Sequence, residues 1–275
     1  MPVFALDRFW FINLLFQKIL MPEPVFVTGE PALVINQTLV IADIHIGIEY
    51  EYRRSGIHIP SQTEKLINKL ETLIKKTKAK RLVILGDVKH KVPGISFQEE
   101  REVPVFLKHV SEKVPIDIVP GNHDSGLKDY LSENVKLHSS KGFRHENVFF
   151  SHGHAWPDKG FLETKYLLMG HVHPAAEFTD KLGYKWSEPV WVKAKIKKQE
   201  LERQYKTKLK TTPEVVVFPA FNEFAGRIAI NKPLREIDLK HKTGPPSPIF
   251  RICKLKEART YLLDGTCLGK LGNLQ

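Results

Sequence analysis

The sequence predicts an α/β domain built on a largely buried sheet. Two observations carry that expectation. Five short apolar runs recur between residues 38 and 171, each closed by Asp, Asn or His, and stretches with helical spacing lie between them. Strands that alternate with helices are covered on both faces, so they read as continuous apolar runs rather than as alternating ones. The chain has 275 residues, which suits one large domain or one domain with an appendage. Its 42% apolar and 27% charged residues are the mix of a globular protein, which excludes collagenous and disordered classes.

The runs are Thr38-Leu-Val-Ile-Ala before Asp43, Arg81-Leu-Val-Ile-Leu before Gly86-Asp87, Ile116-Asp-Ile-Val before Pro120-Gly121, Asn147-Val-Phe-Phe-Ser before His152, and Tyr166-Leu-Leu-Met before Gly170-His171. Four or five β-branched and large apolar residues closed by Gly or Pro read as buried strands. Ser61-Gln-Thr-Glu64 follows Pro60 in a capping-box pattern, and Leu66, Ile67, Leu70, Leu73 and Ile74 then fall on one helical face. A second helix is expected over 99–113, with Pro104 near a start or a kink.

Beyond residue 180 the pattern changes. Val190-Trp-Val reads as a strand, and Leu201, Tyr205 and Leu209 have helical spacing. Residues 214–218 and 227–230 read as strands, 242–248 as a loop, and Leu263-Asp264-Gly265-Thr266 as a hairpin turn. This half is expected to be the antiparallel part of the same domain. The expected organisation is an N-terminal extension at 1–20, a catalytic domain over 21–240 with a basic insertion at about 193–210, and a C-terminal tail with a hairpin over 241–275.

Residues 1–20 are apolar and aromatic, but their longest unbroken apolar run is only residues 9–12, short of the roughly 20 that span a membrane. No basic segment precedes it and no A-x-A site follows, which argues against a signal peptide. The segment reads as an extension upstream of a start at Met21, with a membrane-surface helix as the alternative. Two cysteines, Cys253 and Cys267, make no disulfide framework, and a reducing, cytoplasmic location is the expectation.

The net charge of +11 favours polyanionic partners such as nucleic acid. Residues 193–210 carry eight basic and two acidic side chains, over half of that excess. Lys193, Lys195, Lys197 and Lys198 open this stretch and are candidates for guiding nucleic acid. The rival reading is a solvated helix face.

Taken in order, the clusters are Asp43-Ile-His45, Gly86-Asp87, Gly121-Asn-His-Asp124, His152-Gly-His154 and Gly170-His-Val-His173. Carboxylates mixed with imidazoles and an amide, and no cysteine, suit Mn, Fe or Zn. In Asp43/His45 and His171/His173 the two residues are two apart, which on a strand puts both on one face. Each cluster alone is weak, and His154 alone reads as a polar neighbour. Five in order, each after an apolar run, are not a chance arrangement.

This ordered set, D-x-H, G-D, G-N-H-D, H and G-H-x-H, resembles the signature of the calcineurin-like metallophosphoesterases over roughly residues 38–174. Asp43-x-His45-x-Gly47-x-Glu49, Gly56-Ile-His-Ile-Pro60 and Val217-Phe-Pro-Ala-Phe221 extend the similarity toward the SbcD-related phosphoesterases of archaea and their cousins associated with bacterial DNA ligases. The resemblance implies two packed mixed β-sheets forming a sandwich flanked by helices. It implies that Asp43, His45, Asp87 and His173 hold one divalent metal ion and that Asp87, Asn122, His152 and His171 hold a second, with Mn the first choice and Asp87 bridging. His123 would face the phosphate and protonate the leaving alkoxide, with Asp124 fixing its orientation. Two such ions about 3.5–4 Å apart clamp a phosphate ester for in-line attack.

Arg53 and Arg54 follow the first cluster and are candidates for the phosphate, or plain surface residues. His90 stands where the nuclease branch has a histidine in G-D-x-x-H, which favours diesters. Against a nuclease, residues 231–275 are too few for the separate DNA-binding cap those enzymes carry, and the basic stretch has no counterpart in the pattern. The expected function is a dinuclear phosphodiesterase or nuclease in nucleic-acid metabolism. The alternatives are a small-molecule phosphatase or phosphodiesterase, and a non-catalytic binding protein of the same fold, which the complete ligand set opposes. Oligomeric state is not legible in the sequence.

Overall fold

The computed structural model describes residues 23–232 and 247–274. The N-terminal segment 1–20 and most of the loop expected at 242–248 lie outside the described residues. No helix among the described residues is long and apolar enough to cross a membrane.

The first sheet has six strands in sequence order: β1 (Val25–Phe26), β2 (Leu33–Ile35), β3 (Thr38–Ala42), β4 (Arg81–Leu85), β5 (Ile116–Val119) and β6 (Val135–Leu137). From β3 to β6 the pairing is parallel. Between them run α1 (Glu49–Arg54), α2 (Thr63–Thr77) and α3 (Phe97–Ser111). The second sheet has nine strands. They are β7 (Phe143–His145), β8 (Val148–Ser151), β9 (Tyr166–Met169), β10 (Pro174–Thr179), β11 (Lys185–Lys195), β12 (Glu214–Val217), β13 (Ile228–Ala229), β14 (Arg259–Leu262) and β15 (Cys267–Lys270). The stretch expected as a tail thus contributes β14 and β15, joined by the turn at 263–266, and β14 pairs with β11. This half is mixed rather than antiparallel, because β12 lies parallel to β9 and β13 parallel to β10.

Strand alternation explains how the two sheets share a core. In β3, Leu39 and Ile41 face α2 and α3, while Val40 and Ala42 face the second sheet. β4 repeats this, with Leu82 and Ile84 under the helices and Val83 and Leu85 between the sheets. From the second sheet, Leu168, Trp191 and Val216 point back into the same inter-sheet layer. Leu167, Met169, Val215 and Val217 face the outer core, where Leu201 and Tyr205 of α4 (Lys198–Tyr205) pack. Both faces of each central strand are therefore buried, and the molecule is the predicted sandwich flanked by helices.

Two local expectations are corrected. Ser61 does not cap α2; its hydroxyl donates to Glu102 Oε2 (2.8 Å), and the Gln62 N–H goes to the buried Glu49 (2.7 Å). The capping box sits one helix later, where Ser96 and Glu99 cap α3, which therefore starts at Phe97 rather than at Glu99. The basic stretch is not one helix. Lys193 and Lys195 lie on β11, which runs eleven residues instead of three, and only Lys198–Tyr205 is helical.

Candidate metal centre

Parallel strands bring the polar clusters together. β3, β4 and β5 of one sheet and β8 and β9 of the other end at the same edge of the sandwich. Asp43, Asp87, residues 121–124, His152, and His171 with His173 follow them directly. His152, from the second sheet, places Nε2 3.0 Å from Asp43 Oδ1 and 3.4 Å from Asp87 Oδ2, both from the first.

Three groups of donors result among the described residues, one of them the all-histidine set His45, His90 and His123 and the other two containing carboxylates. The ligand atoms of Asp43, His45, Asp87 and His173 lie within 4.8 Å of one another, and so do those of Asp87, His152 and His171. Asp87 belongs to both. The backbone is bent to achieve this. Of the ten non-glycine residues with positive φ among the described residues, five are Asp43, His45, Asp87, His171 and His173, with φ from 46° to 69°. Left-handed conformations cost energy in side-chain-bearing residues and concentrate where a site over-determines them. The glycines of the motifs give the chain room. A Cβ on Gly121 would stand 2.0 Å from Asp87 Oδ1, and one on Gly170 would stand 2.6 Å from Asp43 Oδ2.

The electrostatics suit cations. Burial alone would raise Asp43, but the His173 charge and hydrogen bonds from His152 and His173 hold it well below the usual carboxylate range. Burial likewise opposes ionisation of Asp87, and His152 outweighs it. Burial pushes His45 down to about 3, and burial with the His152 charge pushes His171 down to about 4. Neutral imidazoles present lone pairs, as metal ligands must. His45 and His173 face each other through Nε2 atoms 3.4 Å apart. Two buried carboxylates among converging imidazole nitrogens are a donor set that two divalent cations fit. His152 shows the same demand for positive charge: burial disfavours its proton, yet Asp87 and Asp43 raise it to about 10.

The turn after β5 carries His123. Its N–H donates to Asp87 Oδ1 (3.0 Å), its ring Nδ1 hydrogen-bonds the His90 carbonyl, and its Nε2 lies 3.9 Å from Asp87 Oδ2. The His123 side chain remains partly exposed, and Asn122 beside it is exposed. His90 lies against the same imidazoles. Its Nδ1 lies 3.2 Å from His45 Nδ1, and its ring stacks on His123 at 5.6 Å.

Several candidates are placed elsewhere. Asp124 does not orient the His123 ring; its buried carboxylate accepts the N–H groups of Val88 (2.8 Å), Lys89 (3.2 Å) and Gly121 (2.8 Å). It braces the two ligand loops against each other. Burial and the nearby Asp87 raise it to about 6. Arg53 and Arg54 are exposed on the last turn of α1, where Glu51, not an arginine, reaches His90 (3.5 Å). Lys193, Lys195, Lys197 and Lys198 are at the wrong end. The register pairs Lys195 with Glu214 and Glu214 with Tyr166, so β11 runs away from the ligands that follow Met169. Antiparallel pairing reverses the direction in which a strand carries its successors, and the basic stretch follows β11 to the far edge.

Two residues matter more than the sequence reading allowed. His154 Nδ1 lies 2.9 Å from His152 Nδ1, so the second histidine of His152-Gly-His154 supports the first. Glu99 is fully buried and accepts N–H groups from His90 (2.8 Å), Lys91 (2.5 Å) and Ser96 (2.6 Å). Its signal was the capping pattern Ser96-x-x-Glu99, which lay unread in the sequence.

A family model described as calcineurin-like phosphoesterase matches residues 37–205. The serine/threonine-protein phosphatase CPPED1 of Mus musculus is 36% identical over 72 residues, 26% of this chain and 22% of that protein; the Rattus norvegicus protein matches to the same extent. The match thus spans about a fifth of the length of these curated relatives. Among solved structures, the Pseudomonas putida nuclease MPE shares the fold with a TM-score of 0.54 at 20% identity, covering 90% of this chain and all of that one. The E. coli phosphoesterase Yfce aligns with a TM-score of 0.34 at 21% identity, over 52% of this chain and 73% of that one.

Proposed function

The chain belongs to the calcineurin-like phosphoesterase family, and from that premise we propose that it is a dinuclear-metal-dependent phosphodiesterase or nuclease acting in nucleic-acid metabolism. Family membership itself supports a phosphoric ester hydrolase. One observation carries the dinuclear reading: two sets of donor atoms, each within 4.8 Å, share Asp87. Asp43, His45, Asp87 and His173 would hold one cation, and Asp87, Asn122, His152 and His171 the other. Bound there, the pair supplies a polarised phosphate and an activated water, with Mn the proposed ion and Fe or Zn the alternatives.

The protein's own groups do the rest. The Nδ1 of His123 is engaged by the His90 carbonyl, which leaves Nε2 as the nitrogen that can serve the leaving oxygen. Asp124 and Glu99 brace the loops that carry Asp87, His90 and His123 through backbone hydrogen bonds, which favours a preorganised site. His90 beside His45 and His123 supports a diester over a monoester, and the net charge of +11 supports a polyanion. The SbcD-related similarity of 43–49, 56–60 and 217–221 points the same way.

The test is a screen of purified protein with Mn²⁺ on aryl phosphomonoesters, aryl phosphodiesters, cyclic nucleotides, and single- and double-stranded DNA and RNA. Chelator-sensitive hydrolysis of aryl diesters and of nucleic acid is the expected result. Activity confined to monoesters or to cyclic nucleotides would replace this reading with a small-molecule one.

A further inference from the structure

The hairpin of β10 and β11 carries an exposed aromatic ridge that the metal site does not use. Phe178 and Trp186 are cross-strand partners with ring centroids 5.5 Å apart and planes 27° apart. Tyr184 also stacks on Trp186, at 6.2 Å and 20°. Tyr184 is 67% exposed and Leu182, at the tip, 94%. Beside Phe178 and Trp186 opens a recess of about 530 Å³, walled by Pro189, Leu262, Leu263 and Leu268, with Glu188 and Asp264 also in its lining. Phe178 is half-buried against the core of the second sheet, while Tyr184 and Trp186 turn their rings to solvent, and such exposed apolar surface marks a binding site.

Its place in the fold ties it to the metals. β10 begins at Pro174, directly after His173, and the His173 carbonyl accepts the Ile228 N–H of the loop beside it (3.0 Å). At the rise of a strand, Phe178 lies roughly 16 Å along β10 from His173. The hairpin therefore prolongs the second sheet at its metal-bearing end.

Cations and carboxylates both border the ridge. Lys181 and Lys185 are exposed on the hairpin, and the Arg227 guanidinium is held against it by a hydrogen bond to the Ser187 carbonyl (3.3 Å). Two of the carboxylates have partners within the fold. Asp180 accepts the N–H groups of Leu182 (2.8 Å) and Tyr184 (2.9 Å) and so shapes the turn, and Glu177 pairs with Lys232 (2.9 Å). Glu188 on the returning strand and Asp264 across the recess are both exposed.

We propose that this hairpin is a stacking platform for the unpaired bases of single-stranded nucleic acid and delivers the strand to the metal centre. The assignment rests on reading that centre as a phosphodiesterase. Aromatic faces bind any unstacked base, whereas bases inside a duplex are already stacked on each other and cannot reach a side chain. The three cations then meet the backbone phosphates.

The test measures binding without chemistry. Full-length protein in EDTA is titrated with a labelled single-stranded oligonucleotide about 12 nucleotides long, and with its duplex. Tyr184→Ala is expected to weaken single-strand binding about 5- to 100-fold, with duplex binding and melting temperature unaltered. Tyr184→Phe should retain affinity. Trp186→Ala should behave like Tyr184→Ala; if it does not fold, Tyr184→Ala alone decides. Glutamine at Lys181 and Lys185 should flatten the dependence of log K on log salt by about 0.7 per lost contact. Unaltered single-strand affinity in Tyr184→Ala would overturn the proposal, as would an equal loss for duplex. A switch from dimer to monomer at intact affinity would also overturn it and make the ridge an interface between copies. Hydrolysis of an aryl diester by the Mn²⁺-loaded protein should be the same with and without Tyr184. If the wild type failed that reaction, the phosphodiesterase reading would fall, while the EDTA titration would still decide the hairpin.

Discussion

Asp87 Oδ1 accepts the backbone N–H of His123 at 3.0 Å. The carboxylate shared by both donor sets therefore also fixes the turn that presents the candidate acid. The candidate metal set and the candidate acid are thus joined through one side chain, and the expected effects of substitution follow from that link.

Asp87→Ala removes a ligand from both sets and the acceptor that holds the His123 turn. It should abolish chelator-sensitive hydrolysis and bring the metal content, measured by plasma emission spectrometry, below that of any other single ligand variant. Wild-type turnover with two ions per chain would remove Asp87 from the site.

His123→Ala should spare metal content, because no ligand is lost. Turnover on an alkyl diester should fall about 10²–10⁴-fold, the range for a positioned acid or base. With a p-nitrophenyl leaving group, which leaves without a proton, the loss should shrink. An equal loss for both leaving groups would argue for a role in binding the phosphate instead.

Asp124→Ala deprives three backbone N–H groups of their acceptor inside the protein. A cost of about 3 kcal/mol in stability is expected, since buried donors left unpaired are expensive. Denaturant titration measures it. Asp124→Asn keeps part of the network and should recover much of the stability. A loss of activity with stability and metal content intact would instead mean that Asp124 takes part in the chemistry.

Replacing Lys193, Lys195, Lys197 and Lys198 together by Gln should leave turnover on an aryl diester and cleavage of a short oligonucleotide as they were. The register places this stretch at the edge of the second sheet opposite the ligands. A drop in short-oligonucleotide cleavage would show that substrate reaches around the sandwich.

Asp117 ties the first sheet to the second. It accepts from Arg81 Nε (2.6 Å) and pairs with His138 Nε2 (2.5 Å), whose ring stacks on Phe143 at 3.7 Å. Burial would raise its carboxyl, but the bonds from His138 and Arg81 pull it down from 3.8 to about 2. As pH falls, the unfolded chain takes up this proton first. The stabilisation is therefore complete above about pH 4 and is lost as pH falls through about 2. Asp117→Asn should lower the melting temperature at pH 6, and the gap to wild type should close as the pH approaches 2. A gap that stayed constant with pH would mean that the ion pair contributes nothing.

How much of this was legible in the residue order depended on the range of the interaction. Strands β3, β4, β5, β8 and β9 were readable because each is buried on both faces, which forces an unbroken apolar run. The ligand candidates were readable because each ends such a run. The amphipathic face of α2 was equally plain, since 3.6-residue spacing is local. The Ser61-x-x-Glu64 pattern does not cap α2, because Ser61 and Gln62 satisfy Glu102 and Glu49, which no local pattern announces.

The residue order by itself determined the strands and helices of the sandwich and the polar chemistry at its strand ends. Those are fixed by burial periodicity and by the bond angles of a turn, which act over a few residues. Only the tertiary structure decided which groups share a space. It set His152 against Asp43, 109 positions away, and gave Asp124 to the backbone of Val88 and Lys89 rather than to the ring of its neighbour. It also sent the lysines after β11 to the far edge while lifting Tyr184 and Trp186 above the metal-bearing one. The physical reason is strand direction. A parallel pair places successive loops at one edge and an antiparallel pair places them at opposite edges, and that choice is made by pairing partners far apart in the chain.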